Sequence, residues 1–512
     1  MQTLARRLWG LLPALGLLLA GCAGPQALPQ PPASLPAPAL QESALARIAA
    51  DSTPPSRQGQ SGLRLLASGD QAFEARLALV ERAAQRIDAQ YYLLAGDASG
   101  RRFLQALLQA AQRGVQVRLL LDDLHSAELA GLLGVLAQHE RIEVRLFNPL
   151  PLRQGSPLTR LLLSPGPFEQ RHRRMHNKLL MADGAMAVTG GRNIGDEYFM
   201  QASAANFVDM DLLLTGAALA PLQQAFDRYW HSAQARPLQQ LQPPSPPCEI
   251  ALRHLAAAPA APRAQDMLGQ RPVGAELAQG HLELMFAHVQ VLADAPDKVL
   301  HAATLDGSAL GQGLQQLRQA RSEVVIVSPY FIPGARGMQM LREATAGRVR
   351  VSVLTNSMAA TDEPVVHQAY ARYREAMLDL GVTLHELSPR LTRKADVFGD
   401  FRSSDGRLHA KVALADRRWV LMGSMNMDGR SAYANTELGL LIDSPELAWQ
   451  LRSLLQRTHA SSSYKLRRGP AGLEWVARDG GIERVQHSEP GADLPLRLKS
   501  ALLSLFIAED LL

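Results

Sequence analysis

The sequence predicts an α/β protein of two similar lobes, each a mainly parallel or mixed sheet flanked by helices, related by a pseudo-twofold axis. Three observations predict it. Strand-length apolar runs alternate with segments of helical spacing from Leu63 to Asn148, and again from Val324 to Leu387. One short stretch occurs twice, as His176-Asn-Lys178-Leu-Leu-Met-Ala-Asp183 and His409-Ala-Lys411-Val-Ala-Leu-Ala-Asp416, both of the form H-x-K-x4-D. The approach to it has the same length in both halves, 61 residues from Val115 to His176 and 60 from Val349 to His409. Matching order and spacing mark an internal duplication, with a period far too long for a solenoid.

Taken in order, the chain opens with Arg6 and Arg7 before an apolar run, Leu8 to Ala20. That run is shorter than the roughly 20 residues of a spanning helix and has the layout of a secretory signal, assigned to 1–21. Its end, Leu19-Ala20-Gly21-Cys22, resembles the bacterial lipobox, which implies cleavage before Cys22 and acylation of that cysteine. Ordinary cleavage near Ala23 and an uncleaved anchor are the alternatives. Several acyl chains would anchor the protein stably. The expected location is the bacterial cell envelope, lipid-anchored on the periplasmic side, with Ala23 favouring the outer membrane. Residues 22–60, rich in Pro, Ala, Gln and Ser, read as a semi-extended tether.

Lobe 1 is placed at 61–232. Helical spacing runs from Phe73 to Arg86, and a strand follows from Arg86 to Leu94. A second helix runs from Gly100 to Gly114, where glycine supplies a stop. Strands at Val115–Leu121 and Ile142–Phe147 flank a helix near 126–138. Residues 150–175 read as a loop with a basic run, Arg171-His172-Arg173-Arg174, near its end. The prolines at 237, 243, 244, 246, 247, 259 and 262 mark an interlobe linker, 233–280, holding Cys248. Lobe 2, 281–490, repeats the order. Strands at Val324–Val327, Val349–Leu354 and Val382–Leu387 alternate with helices at Gly337–Thr345 and Glu363–Leu380. An apolar C-terminal helix, 491–512, is expected to dock on the body.

The net charge of +5 suits approach to an anionic surface or a phosphate substrate without requiring nucleic acid, and none is expected as a partner. Of 53 basic residues only six are lysines, yet both motif copies keep one two residues after the histidine. In a chain this rich in arginine, that points to a compact ammonium rather than a planar fork. Each H-x-K is read as lying on a strand, so His176 shares a face with Lys178, and His409 with Lys411. Two such pairs converging on one pocket suit a phosphodiester: one imidazole attacks phosphorus, and the other works as general acid and then base. The lysines, with Asn193 of Gly190-Gly191-Arg192-Asn193 and Asn426 of Gly423-Ser424-Met425-Asn426, would hold the phosphate oxygens. Gly191 and Ser424 belong to the same candidate substrate-binding turns. No metal or other cofactor is expected, since each motif offers one histidine where zinc needs three or four ligands. Asp183 and Asp416 fall at an odd offset from the lysines and read as structural anchors. Asp209, with Asp211 as its alternative, and Glu437 are the candidate acids beside the imidazoles.

The doubled H-x-K-x4-D with its G-G-x-N and G-S-x-N turns resembles the phospholipase D superfamily. Asp88-Ala-Gln-Tyr-Tyr92, Ser328-Pro-Tyr-Phe-Ile-Pro333, Leu354-Thr-Asn-Ser357 and Asn435-Thr-Glu437 extend the resemblance to bacterial cardiolipin synthases of the C type. The resemblance covers most of the chain after the tether. It implies His176, Lys178, Asp183, His409, Lys411 and Asp416 as the catalytic set, with His176 the nucleophile. It implies transfer of a phosphatidyl group between phospholipids, phosphatidylglycerol among them, to a glycerol hydroxyl. A hydrolase using water as acceptor, a nuclease and a non-enzymatic lipid-binding lipoprotein are the competing readings.

Overall fold

The computed structural model describes residues 43–242 and 265–495, apart from 302, 396–400, 402, 471, 480, 481 and 494. The signal segment, Cys22, Cys248 and all but the first few residues of the expected C-terminal helix lie outside the described residues. In lobe 1 the strands are β1 (Ser61–Leu66), β2 (Arg86–Tyr91), β3 (Gln116–Asp122), β4 (Ile142–Phe147), β5 (Leu179–Ala182), β6 (Met186–Gly190), β7 (Ala205–Val208), β8 (Asp211–Gly216) and β9 (Ala235–Pro237). Lobe 2 supplies β10 (Met285–Ala293), β11 (Glu323–Val327), β12 (Arg350–Asn356), β13 (Thr383–Leu387), β14 (Asp405–Leu408), β15 (Val412–Ala415), β16 (Trp419–Gly423) and β17 (Leu438–Asp443). An added meander follows, β18 (Ser463–Gly469), β19 (Gly472–Asp479) and β20 (Ile482–Gln486).

The two halves form one 18-stranded sheet. Lobe 1 runs β9-β4-β3-β2-β5-β6-β8-β1, and lobe 2 runs β10-β17-β16-β15-β11-β12-β13-β18-β19-β20. They join where β1 pairs antiparallel with β10, Ser61 opposite Ala287. Outward from that seam, the order of one lobe repeats that of the other, as a duplication requires. The sheet is mixed: only β2-β3-β4 and β11-β12-β13 are parallel. The motif strands β5 and β15 join their neighbours through tight hairpins, which impose antiparallel pairing. Each hairpin turns on residues at positive φ, Asp183 and Gly184 at 52° and 60°, Asp416 and Arg417 at 53° and 58°.

Helices pack on both faces of the sheet, including Gly69–Arg82 and Ala98–Gln112 in lobe 1, and Gly334–Ala346 and Pro445–Ser461 in lobe 2. A central apolar cluster draws on both lobes, with Met175, Leu179 and Val208 beside Leu408, Val412 and Leu440. Burying each such side chain contributes roughly 1.5–3 kcal/mol, so the lobes are held by a common core.

Four expectations are corrected. The tether does not reach residue 60, because Ser43 caps a helix at Ala44–Asp51 and Leu45 is fully buried. The linker's ends belong to lobe 1. β9 pairs with β4, and a helix at Val273–Ala278 packs on Gly69–Arg82, with Gly274 N–H donating to Glu74. Residues 150–175 contain helices at Pro157–Leu163 and Phe168–His172. The helix expected over Glu363–Leu380 is two, Pro364–Ala371 and Arg374–Asp379.

Candidate active site

His176–Lys178 and His409–Lys411 do not lie within strands. Each occupies an extended segment immediately before β5 or β15. The reason is the other lobe: the backbone pairs across the interface instead of within its own sheet. His176 N–H donates to Thr436 O (2.9 Å), and Thr436 N–H donates to Arg174 O (2.9 Å). On the other side β14 pairs in parallel with β7, and His409 N–H donates to Val208 O (2.8 Å). The residue before each histidine is fixed by the end of a parallel strand. Asp122 at the end of β3 accepts from Met175 N–H (2.9 Å), and Asn356 at the end of β12 accepts from Leu408 N–H (2.8 Å).

This crossed pairing delivers a carboxylate from each lobe to the imidazole of the other. His176 Nδ1 donates to Glu437 Oε2 at 3.0 Å, and His409 Nδ1 donates to Asp209 Oδ2 at 2.5 Å. Both acids are fully buried. Burial works to raise Glu437, but His176, Lys178 and the Ser424 hydroxyl outweigh it and hold it at about 2. Burial opposes Asp209 in the same way, and His409, Lys411 and Arg192 hold it at about 2. Burial, then Lys178, pushes His176 down to about 4 against the pull of Glu437. His409 is lowered by burial and Lys411. At neutral pH the carboxylates are therefore ionised and the imidazoles neutral with the proton on Nδ1, leaving both Nε2 lone pairs toward the cavity.

That cavity, about 810 Å³, is lined by both histidines, by Asn193 and Asn426, and by Tyr92 and Tyr198. The rings of Tyr92 and Tyr198 stand edge-on to His176 and His409, at 5.1 and 5.2 Å between centroids. Asn193 Nδ2 donates to the Tyr198 hydroxyl (2.9 Å), whereas Asn426 Oδ1 is buried without a hydrogen-bond partner. Both lysines are buried and neither is part of the cavity lining, Lys178 with no exposure and Lys411 with 4%. Each Nζ donates to the carbonyl of the histidine two residues before it, at 2.7 and 2.5 Å, and keeps further donors. Burial drives Lys178 well below its usual value and Lys411 to about 8.

Asp209 and Glu437 hold the imidazoles, as the sequence predicts, and neither lines the cavity; two of the candidate substrate-binding turn residues differ in space. Ser424 turns away from it, its hydroxyl donating to Glu437. Gly191 packs on Asp209, where an added Cβ would come within 2.0 Å of Oδ1. Asp211, the alternative to Asp209, is bound instead by Arg76 and Arg192 at 3.0 and 3.1 Å. Asp183 and Asp416 lie at the hairpin turns. Asp183 accepts from the N–H groups of Ala84, Gln85 and Arg86, and Asp416 from those of Arg321, Ser322 and Glu323. They anchor the foot of each motif and do not reach the cavity, so their placement in the catalytic set is corrected.

The sequence did not point to His125, Asp362, Glu363, Asp428 or Arg430, which also line the cavity. Asp428 is pushed up to about 7 by burial. Arg430 opens a π-helical turn, Arg430–Ala434, a distortion frequent at functional sites but without a sequence signature. A second cavity of about 560 Å³, lined largely by apolar side chains such as Phe331, Met340 and Leu341, shares Asp428 and adjoins the first. For a metal, one cluster among the described residues brings three ligand atoms within 4.8 Å of one another, His367, Glu386 and Glu489. The Arg374 guanidinium already sits among them, 2.8 Å from Glu386 and 2.7 Å from His367.

Two lobes sharing one cavity, with an imidazole and a buried carboxylate from each, define an enzyme of the phospholipase D superfamily. Residues 77–230 and 314–458 match the family model described as "Cardiolipin synthase, PLD-like domain", and the chain belongs to that family. It is 37% identical over 465 residues to cardiolipin synthase C of Escherichia coli (strain K12), covering 89% of this chain and 97% of that protein. It is 28% identical over 406 residues to cardiolipin synthase A of Pseudomonas aeruginosa (strain PAO1), covering 78% of this chain and 67% of that one. The crystal structure of phosphatidylserine synthase from Haemophilus influenzae Rd KW20 shares the fold, with a TM-score of 0.58 at 15% identity over 89% of this chain and 96% of that one.

Proposed function

We propose that the protein is a phosphatidyltransferase that makes cardiolipin from phosphatidylglycerol and a second phospholipid through a phospho-histidine. The observation that carries it is the crossed pair, His176–Glu437 and His409–Asp209, on opposite lobes of one cavity. In the first half-reaction the His176 Nε2 lone pair forms a bond to phosphorus. The phosphorus–oxygen bond to the headgroup breaks, and protonated His409 gives its proton to the leaving oxygen. In the second, neutral His409 removes the proton of a lipid glycerol hydroxyl. That oxygen bonds to phosphorus and the bond to His176 breaks. An anionic phosphodiester in the cavity favours the charged forms of His409, Lys178 and Lys411, opposing the depression that burial imposes, so positive charge is strongest when substrate is bound.

His176, Lys178, His409 and Lys411 are the proposed catalytic residues, and Asn193 and Asn426 the proposed phosphate ligands. Asp209, Glu437, Gly191 and Ser424 are positioning residues, and Asp183 and Asp416 are structural. The adjoining apolar cavity supports a lipid over a nucleic acid, since it suits an acyl chain. Purified protein given labelled phosphatidylglycerol should pass label into cardiolipin. Label recovered only in phosphatidic acid would make the protein a hydrolase.

For location, the Leu19-Ala20-Gly21-Cys22 run supports acylation at Cys22 and anchoring in the cell envelope on the periplasmic side, and Ala23 after the cysteine supports the outer membrane. No helix among the described residues is long and apolar enough to cross a membrane. Metabolic palmitate labelling that is lost in Cys22→Ser, with fractionation of the envelope, tests this.

A further inference from the structure

The helix Pro157–Leu163 is inside out. Its one charged residue, Arg160, is fully buried, while Leu158, Leu162 and Leu163 are 64%, 55% and 71% exposed. Of the eight exposed large hydrophobics among the described residues, these three fall within six consecutive positions. Arg160 pins the helix in this pose. Its guanidinium donates to the carbonyls of Leu152, Asp123 and Leu124 (2.9, 2.7 and 2.8 Å) and pairs with Asp123 at 2.5 Å. Water gives no reason to hold leucines outward with four polar contacts inward; an apolar covering does.

The surroundings say what covers it. Of the five arginines in residues 151–174, Arg153 and Arg160 pair with Asp123 and Arg174 with Asp122, while Arg171 and Arg173 make no ion pair among the described residues; Glu169 is the segment's one acid. The segment also leads directly into His176 and is tied to the cavity wall, with Arg430 donating to His172 O at 3.2 Å. Apolar side chains rimmed by unneutralised guanidinium groups match the boundary between acyl chains and anionic headgroups.

We propose that this helix inserts into the surface of an anionic phospholipid bilayer and sets the mouth of the catalytic cavity against it. The proposal rests on the phosphatidyl-transfer reading for its choice of partner. Burying one leucine is worth at least about tenfold in partitioning.

The test uses the full chain on vesicles of phosphatidylglycerol and brominated phosphatidylcholine. Tryptophan emission of Leu162→Trp should be quenched beyond the wild type's own quenching. A Leu162→Ser/Leu163→Ser variant should lose at least about tenfold turnover on those vesicles. It should stay within about twofold of wild type on monomeric dihexanoyl phosphatidylglycerol, which has no surface to bind. No excess quenching, or an equal loss on both substrates, overturns the proposal. So does conversion of a dimer to a monomer in the double variant, which would make this face a contact between copies. If the wild type turns over neither substrate, the transfer reading fails, while the quenching still decides the insertion.

Discussion

Replacing Asp209 by asparagine should damage catalysis more than replacing Glu437 by glutamine, and the reason lies in what each carboxylate's second oxygen meets. Asp209 Oδ2 accepts from His409, and Oδ1 accepts from the backbone N–H of Met210 at 2.7 Å. An asparagine amide must point its NH2 at one of these donors. If it faces Met210, a buried N–H that cannot turn is left without an acceptor. If it faces His409, the imidazole must move its proton to Nε2, the wrong tautomer for accepting one. Either outcome costs about 1–3 kcal/mol. Losing the charge that stabilises the His409 imidazolium costs about another 1.5–3 kcal/mol. Together these amount to roughly 10²–10⁴-fold in turnover, the range general acid–base catalysis commands. Glu437 Oε1 instead meets the Ser431 hydroxyl at 2.7 Å, which can rotate and accept from the glutamine NH2. Glu437→Gln therefore loses the charge but keeps the tautomer, a loss of about 10–150-fold. The assay is transfer of label from phosphatidylglycerol to cardiolipin, with thermal melts to show that both variants fold. Asp209→Asn retaining more than about a tenth of wild-type turnover would refute the reasoning.

Gly191→Ala places a methyl group against Asp209 Oδ1. It should cut kcat at least about tenfold by shifting the carboxylate off His409, with little change in KM. Asp183→Ala leaves three backbone N–H groups without their acceptor, so it should cost about 3 kcal/mol of stability and lower the melting temperature. Turnover per folded molecule should be nearly unchanged, because the residue lies away from the cavity. With Lys411 depressed to about 8, its ammonium is lost as pH rises through that value in the free enzyme. The kcat/KM profile should therefore decline as the lowered His409 loses its proton and fall more steeply above pH about 8, whereas kcat should hold to higher pH because bound phosphate raises both groups again.

The duplicated architecture was legible because it is local. Alternating periodicity located β2, β3 and β4 and their counterparts β11, β12 and β13 to within two residues, apart from β2's end. The candidate acids Asp209 and Glu437 were also legible, as carboxylates opening apolar strands after the asparagine turns. Their crossing between lobes was not, since a hydrogen bond between His176 and Glu437 spans 261 residues and leaves no mark on either segment's pattern. The same crossing explains why the H-x-K segments are not strands of their own sheet. The helix Pro157–Leu163 read as loop because Arg160 is inside and the leucines outside, the inverse of the pattern that betrays an amphipathic helix. Lobe 1's outer strand β9 and the helix at Val273–Ala278 were hidden by the prolines that flank them.

The central claim is that the two copies of the motif form one catalytic centre. Turnover by His176→Ala and His409→Ala, each measured singly in protein shown to fold, tests it most directly. A shared centre predicts that either substitution lowers transfer at least about 10³-fold, because each half-reaction needs both imidazoles. Independent centres, one in each lobe, predict that each variant keeps about half the wild-type rate, and that result would contradict the account.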